Sequence, residues 1–143
     1  MLRAGLLAPG EYYHIYNRGV GKKVLFHEKS DYFRFLFLIL YFQSPATFPQ
    51  VGRSMKEFVK HRMLDNVYEV INKRTVELVA FCIMPNHFHL AIKEVEEGGI
   101  TSYMQRILNA YAKYYNTKYQ SSGHVFEGAY RLVHMEDDRQ IKH

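Results

Sequence analysis

The chain has a single cysteine, Cys82, which excludes an internal disulfide. Because Cys82 lies in an apolar, strand-like run, it is expected to be a buried thiol in a reducing compartment. Long hydrophobic runs are also missing. The longest, Phe35 to Phe42, is eight residues, well short of the roughly 20 that a membrane-spanning helix needs. The Met1-Leu2-Arg3-Ala4-Gly5-Leu6-Leu7 segment has no apolar stretch of signal length, so the expected location is cytoplasmic, with no membrane partner. There is no internal repeat and no low-complexity tract. The RNP pattern of paired aromatics that marks a common RNA-binding module is absent as well.

What is present suits a compact protein. At 143 residues, 48% hydrophobic and 15% aromatic, the chain is long enough for one domain over residues 1–143 with a real core. A formal net charge of +5 and a pI near 9.3 favour a polyanionic partner, because neutralised phosphates release counterions.

Periodicity orders the elements. Residues 12–17 alternate Tyr13 and Ile15 against His14 and Tyr16, which suits a half-buried strand, and Asn17-Arg18-Gly19-Val20-Gly21 closes it as a loop. A buried helix is expected from Ser30, as N-cap, to about Gln43. A second helix is expected from Ser54 to about Asn72, with Phe58, Met63, Val67 and Val70 as contacts, inside a helical insertion around 45–73. Val76–Met84 and Phe88–Val95 read as strands of an antiparallel hairpin turned by Pro85-Asn86. A helix over Thr101–Lys118 follows, with an apolar stripe that includes Tyr103, Met104, Ile107, Leu108, Tyr111, Tyr114 and Tyr115. A last strand is expected from Val125 to Met135. The result is an α+β, ferredoxin-like βαββαβ order: a four-stranded antiparallel sheet with helices on one face and an insertion. That topology makes the first and third strands neighbours and brings His14 towards His87 and His89.

His87-Phe88-His89 opens the second hairpin strand. Alternation puts both imidazoles on one face and Phe88, Leu90 and Ile92 on the other. Paired neutral imidazoles on a strand are a partial ligand set for a divalent cation; spacing alone reads equally well as two hydrogen-bonded surface histidines. His27, His61 and His124 have no partner at ligand spacing. Glu77 and Glu94 flank the hairpin and read either as surface groups or as outer partners of the histidines. Arg18, Lys22 and Lys23 on the glycine-bearing loop, with Arg131, are the candidate phosphate contacts; solvated surface charge is the plainer alternative for each.

Three blocks, in order, carry a family likeness: Tyr13-His14-Ile15-Tyr16-Asn17-Arg18-Gly19, the run Ala80 to Lys93 around Met84-Pro85-Asn86-His87-Phe88-His89, and Ser122 to Arg131 around Gly123-His124-Val125-Phe126-Glu127-Gly128. Together they resemble the HUH single-tyrosine transposases, in particular the REP-associated tyrosine transposases. The resemblance implies DNA transposition and recombination acting on single-stranded or hairpin DNA. It also implies a weakly held divalent cation (Mg or Mn) on His87 and His89, and a homodimer. Such proteins cut DNA with a tyrosine that becomes joined to the 5′ end. The cation compensates for a phenol whose pKa near 10 makes it a weak nucleophile.

In that family the tyrosine and a third ligand lie in a Tyr-Ile-x-x-Asn or Tyr-Ile-x-x-Gln pattern, on a helix after the last strand. The pattern occurs nowhere in this sequence, and His143 falls within or just before that helix. No catalytic residue is therefore assigned. Tyr111 and Tyr115 belong to the apolar stripe and are expected in the core. Two further readings follow: a catalytically inactive, truncated derivative that only binds DNA hairpins, and an unrelated ferredoxin-like RNA- or metal-binding module.

Overall fold

A computed structural model describes residues 7–45, 51–61 and 67–136. The elements run β1 (Tyr12–Arg18), a short 3-10 turn (Val20–Lys22), α1 (Lys29–Tyr41), α2 (Val51–His61), α3 (Val67–Lys73), β2 (Val76–Met84), β3 (His87–Glu94), α4 (Gly99–Lys118) and β4 (Arg131–Met135). The four strands form one sheet in the order β2-β3-β1-β4, and every neighbouring pair is antiparallel. This is the expected ferredoxin-like arrangement. No helix among the described residues is long and apolar enough to cross a membrane.

The two central strands alternate strictly. Tyr13, Ile15 and Asn17 on β1, and Phe88, Leu90, Ile92 and Glu94 on β3, are buried, while Tyr12, His14, Tyr16, His87, His89 and Lys93 are half-buried on the opposite face. The buried face meets α1 and α4. The ring of Phe35 lies 5.0 Å from Phe88, and Tyr111 packs edge-on against Phe35 at 5.4 Å. The stripe of α4 is buried at Tyr103, Met104, Ile107, Tyr111 and Tyr115.

Several expectations are corrected. Helix α1 starts at Lys29, with Glu28 in the N-cap position. Ser30 stands one residue inside the helix and donates its hydroxyl to Glu28 Oε1 at 2.8 Å. Asp31 supplies the N-terminal side-chain bond instead, accepting from the His27 amide at 2.9 Å. Of the helix expected over Ser54–Asn72, the described parts are helical, as α2 and α3, and residues 62–66 lie outside the described residues. Phe58 and Val70 are buried as expected, Val67 is exposed, and Met63 lies outside the described residues. The last strand begins only at Arg131. Before it, Phe126 turns inward against Phe88 and Tyr111, and Gly128 at φ +61° breaks the extended path.

Cys82 is exposed, not buried. It sits on the edge strand β2 opposite His89, where an apolar run does not imply cover on both faces. A bulge between Leu78 and Ala80 interrupts this strand, and Val79, Phe81 and Met84 are exposed along it.

Glu94 is fully buried, so the surface reading of it does not hold. Its carboxylate oxygens accept from the amides of Gly98 at 3.0 Å and Ile100 at 2.7 Å. It thus caps the first turn of α4, where unpaired amides and the helix dipole favour negative charge. Burial pushes its pKa up, against the lowering effect of the two amides. Glu94→Ala is expected to lower stability by about 2 kcal/mol, the upper end for a lost cap. Urea unfolding should register it as a lower midpoint at unchanged slope; an unchanged midpoint would refute the capping role.

Candidate nucleic-acid interface

The site is built on the half-buried face of β1 and β3 and on three loops at one end of the sheet. Tyr16 pairs with His89 and Arg18 with His87 across the β1–β3 ladder, and Tyr16 pairs with Arg131 across β1–β4. A groove of about 550 Å³ opens there, and its lining includes Arg18, Lys22, His87, His89, Glu127 and Arg131. Backbone hydrogen bonds hold its rim: Gly19 N–H to Asn86 O at 3.0 Å, Val20 N–H to Val125 O at 2.9 Å, and Glu127 N–H to Arg18 O at 2.9 Å. Gly19 is required at its position. A Cβ there would stand 2.2 Å from the carbonyl oxygen of Lys23.

His87 and His89 do share a face, with ring centroids 5.3 Å apart and planes perpendicular. His87 Nδ1 lies 2.9 Å from Asn86 Oδ1. The amide nitrogen of Asn86 donates to the Lys22 carbonyl at 3.4 Å, which leaves Oδ1 to accept from His87. A proton of His87 therefore sits on Nδ1, and a neutral ring leaves its lone pair on Nε2. His89 Nδ1 stands 2.9 Å from His14 Nε2, with the two rings inclined by only 17°. The Tyr16 ring lies against both, at 5.1 Å from His14 and 5.5 Å from His89. Burial lowers the pKa of His14. Burial, then the charges of His14 and His87, lower that of His89. Both are thus neutral at pH 7, the state in which imidazole ligates metal.

Whether these residues suit a divalent cation depends on the donor set. Two imidazoles, each with one nitrogen already hydrogen-bonded to the protein, are what oriented histidine ligands require. Among the described residues no group of three or more histidine, cysteine, aspartate or glutamate side chains has metal-ligand spacing. The pair therefore fits a cation as a partial set, with the remaining positions left to water or phosphate oxygen.

Of the candidate phosphate contacts, Arg18, Lys22 and Arg131 line the groove. Arg18 is also committed to Glu127, its Nε 2.5 Å from Oε2. Lys23 does not line the groove; its ammonium lies 4.9 Å over the Tyr115 ring. His27 stands 2.9 Å from the Tyr115 hydroxyl, away from the histidine pair. Glu77 forms a 3.5 Å ion pair with Arg74.

Sequence reasoning missed the parts played by Asn86 and Glu127. Asn86 precedes His87 directly, and an amide beside an imidazole is a readable signal for a tautomer lock. Glu127 gave none, since its partner Arg18 is 109 residues away.

The tyrosines of α4 are placed against a nucleophilic role. Tyr111 is fully buried and donates to Leu25 O at 2.7 Å, and Tyr115 donates to Val24 O at 3.1 Å. Burial first, and then the Asp31 charge, push both phenols above their ordinary pKa.

Residues 52–142 match the family model described as "Transposase IS200 like". A comparison with curated proteins gave no match. Among solved structures the chain is similar to a REP-associated tyrosine transposase bound to a REP hairpin, at 11% identity and a TM-score of 0.56. That likeness covers 95% of this chain and 62% of the other, so this chain spans less than two thirds of the structure it resembles. At such identity the likeness speaks for the fold. The family match spans more than half the residues and excludes an unrelated ferredoxin-like module: the chain belongs to the family of IS200-like transposases.

Proposed function

We propose that the chain is the DNA-binding domain of a transposase that engages single-stranded or hairpin DNA along the open face of its sheet. One observation carries this reading. In an IS200-like chain, two histidines with hydrogen-bonded Nδ1 atoms share a groove with Arg18, Lys22 and Arg131. The guanidinium and ammonium groups hold backbone phosphates at the rim. His87 and His89 present their second nitrogens to a weakly held divalent cation, magnesium or manganese. When bound, such a cation polarises a phosphoryl oxygen. Tyr16, lying against both His14 and His89, restricts the His89 ring. Glu127 competes with phosphate for Arg18, so DNA entry exchanges one anion for another at that side chain.

A binding-only reading draws on the tyrosines: among the described residues, Tyr111 and Tyr115 are spent on the core. The chain is also read as one half of a homodimer, since the exposed edge of β2 presents Val79, Phe81 and Met84 as apolar surface to cover. A cytoplasmic location accords with a DNA partner.

Titration of a labelled hairpin oligonucleotide over a range of salt tests the phosphate contacts. Lys22→Ala and Arg131→Ala should each weaken binding and reduce the slope of log K against log salt by about 0.7, the share of one single-strand phosphate. Unchanged affinity and slope in both variants would place the DNA elsewhere.

A further inference from the structure

The hydrogen bond between His14 and His89 contains one proton, and its position decides what His89 can do. If His14 Nε2 carried the proton, His89 Nδ1 would accept it. A neutral His89 would then keep its own proton on Nε2 and have no lone pair left for a cation. If His89 Nδ1 is the donor, Nε2 is free and His14 carries its proton on Nδ1. The two arrangements place the same atoms 2.9 Å apart and differ entirely in chemistry.

The surroundings separate them. His89 lines the groove and His14 does not, so His14 stands behind the ring, on the side away from the ligand space. In the first arrangement an N–H donor would face a groove lined by Arg18, Lys22 and Arg131, whose carboxylate, Glu127, is already taken up by Arg18. In the second, a lone pair faces those cations, which is favourable without any metal. His87 shows the second arrangement by independent evidence, because Asn86 Oδ1 can only accept its Nδ1 proton. The two histidines then form a matched pair, each held from behind at Nδ1 and open at Nε2.

We infer that His14 is a positioning residue that accepts the Nδ1 proton of His89 and so fixes the tautomer and ring orientation with Nε2 free. This rests on the proposed cation role of His87 and His89. Nothing in the reading requires His14 to touch DNA or cation. Its near-parallel ring, together with Tyr16, also limits rotation of His89.

Long-range nitrogen–proton NMR on protein labelled in its histidines tests the assignment without any metal. The expected result for the full chain is His89 protonated at Nδ1 and bare at Nε2, matching His87. A proton found on His89 Nε2 overturns the inference. Manganese binding, followed by electron paramagnetic resonance, supplies the second arm. His14→Phe keeps an aromatic ring and removes the acceptor, and should weaken manganese binding about 10- to 100-fold, the usual cost of losing an outer partner. His14→Gln restores an acceptor oxygen and should recover most of that loss, with melting curves confirming that each variant folds. If His14→Phe does not fold, the NMR assignment of His14→Gln decides, and Nε2 must again be bare. Equal manganese affinity in folded His14→Phe and the parent chain would overturn the role. If the parent chain binds no manganese while His89 is protonated at Nδ1, the cation reading fails and the His14–His89 assignment stands.

Discussion

Incubated with a labelled single-stranded hairpin and manganese, a polypeptide of these 143 residues is expected to retain the oligonucleotide without forming a covalent adduct. Retention follows from the groove, where Arg18, Lys22 and Arg131 are placed beside the histidine pair. Adduct formation requires a phenol that can approach phosphorus and lose its proton. Tyr111 cannot: it is sealed in the core with its hydroxyl donated to Leu25 O, and burial holds it protonated. Tyr115 is bound in the same way to Val24 O. Tyr16 does line the groove, but its ring is stacked against His14 and His89 on a central strand. The sequence contains no Tyr-Ile-x-x-Asn or Tyr-Ile-x-x-Gln to supply an alternative, and without a positioned nucleophile the covalent route closes. Denaturing electrophoresis after incubation reads the outcome directly. A radiolabel that survives denaturation would overturn the expectation, and peptide mapping would identify the tyrosine responsible.

The largest expected effect on stability lies away from the groove, at Asp31. Its side chain is fully buried and accepts from Lys118 Nζ at 2.7 Å, the Tyr114 hydroxyl at 2.6 Å, the Tyr119 hydroxyl and the His27 amide. These bonds tie the start of α1 to the end of α4. Asp31→Ala leaves the Lys118 ammonium and two phenols without their common acceptor, and should cost about 3–5 kcal/mol, as when one partner of a buried pair is removed. Burial alone would raise the Asp31 pKa, but the bonds from Lys118, Tyr114, Tyr119 and His27 outweigh it and hold the carboxyl below 3.8. The pH dependence takes its sign from that. The carboxylate's contribution is complete above the unfolded value near 3.8 and fades as pH falls through the lower folded value. At the other end, burial would lower Lys118, yet its bonds to Asp31 and Glu28 keep it above 10.5. Its share is complete below 10.5 and lost as pH rises through the higher folded value, while burial and Asp31 push Tyr119 up to about 12. Urea unfolding across pH should show the gap between parent and variant widest in the neutral range and closing in acid. A gap of under 1 kcal/mol at pH 7 would refute the clasp.

Much of this architecture was legible in the sequence because period carries direct information about faces. The alternation in Tyr13-His14-Ile15-Tyr16 and His87-Phe88-His89-Leu90 assigns core and open face correctly. The stripe of α4 identifies Tyr103, Tyr111 and Tyr115 as buried, although Leu108 and Tyr114, also in it, are only half-buried. The β2 limits, Val76–Met84, were readable to the residue. The same period was available for Glu94, which continues the buried series Phe88, Leu90 and Ile92. A charged residue in register with a core face, four positions before Gly98-Gly99 and the helix they open, marks a cap; its charge obscured its place. Cys82 failed for a different reason, since an apolar run does not tell an edge strand from a central one. The groove was legible only in part. The loop cations and histidines were named from local sequence, but the bonds that arrange them join residues as far apart as His14 and His89 or Arg18 and Glu127. No local pattern specifies such pairings.

The rim of the groove is sewn together by main-chain bonds, through Gly19, Val20, Asn86, Val125, Arg18 and Glu127. Apart from Gly19 and Asn86, whose side chain also binds the Lys22 carbonyl and His87, the main-chain bonds of the rim use amides and carbonyls that most side chains supply alike. The identities at positions 18, 127 and 131 can therefore drift with little reshaping of the groove, while His87 and His89, held through their side chains by Asn86 and by His14 behind the groove, cannot. On the proposed reading of the groove, such a division would let a lineage change which DNA is held and keep the histidine arrangement beneath it.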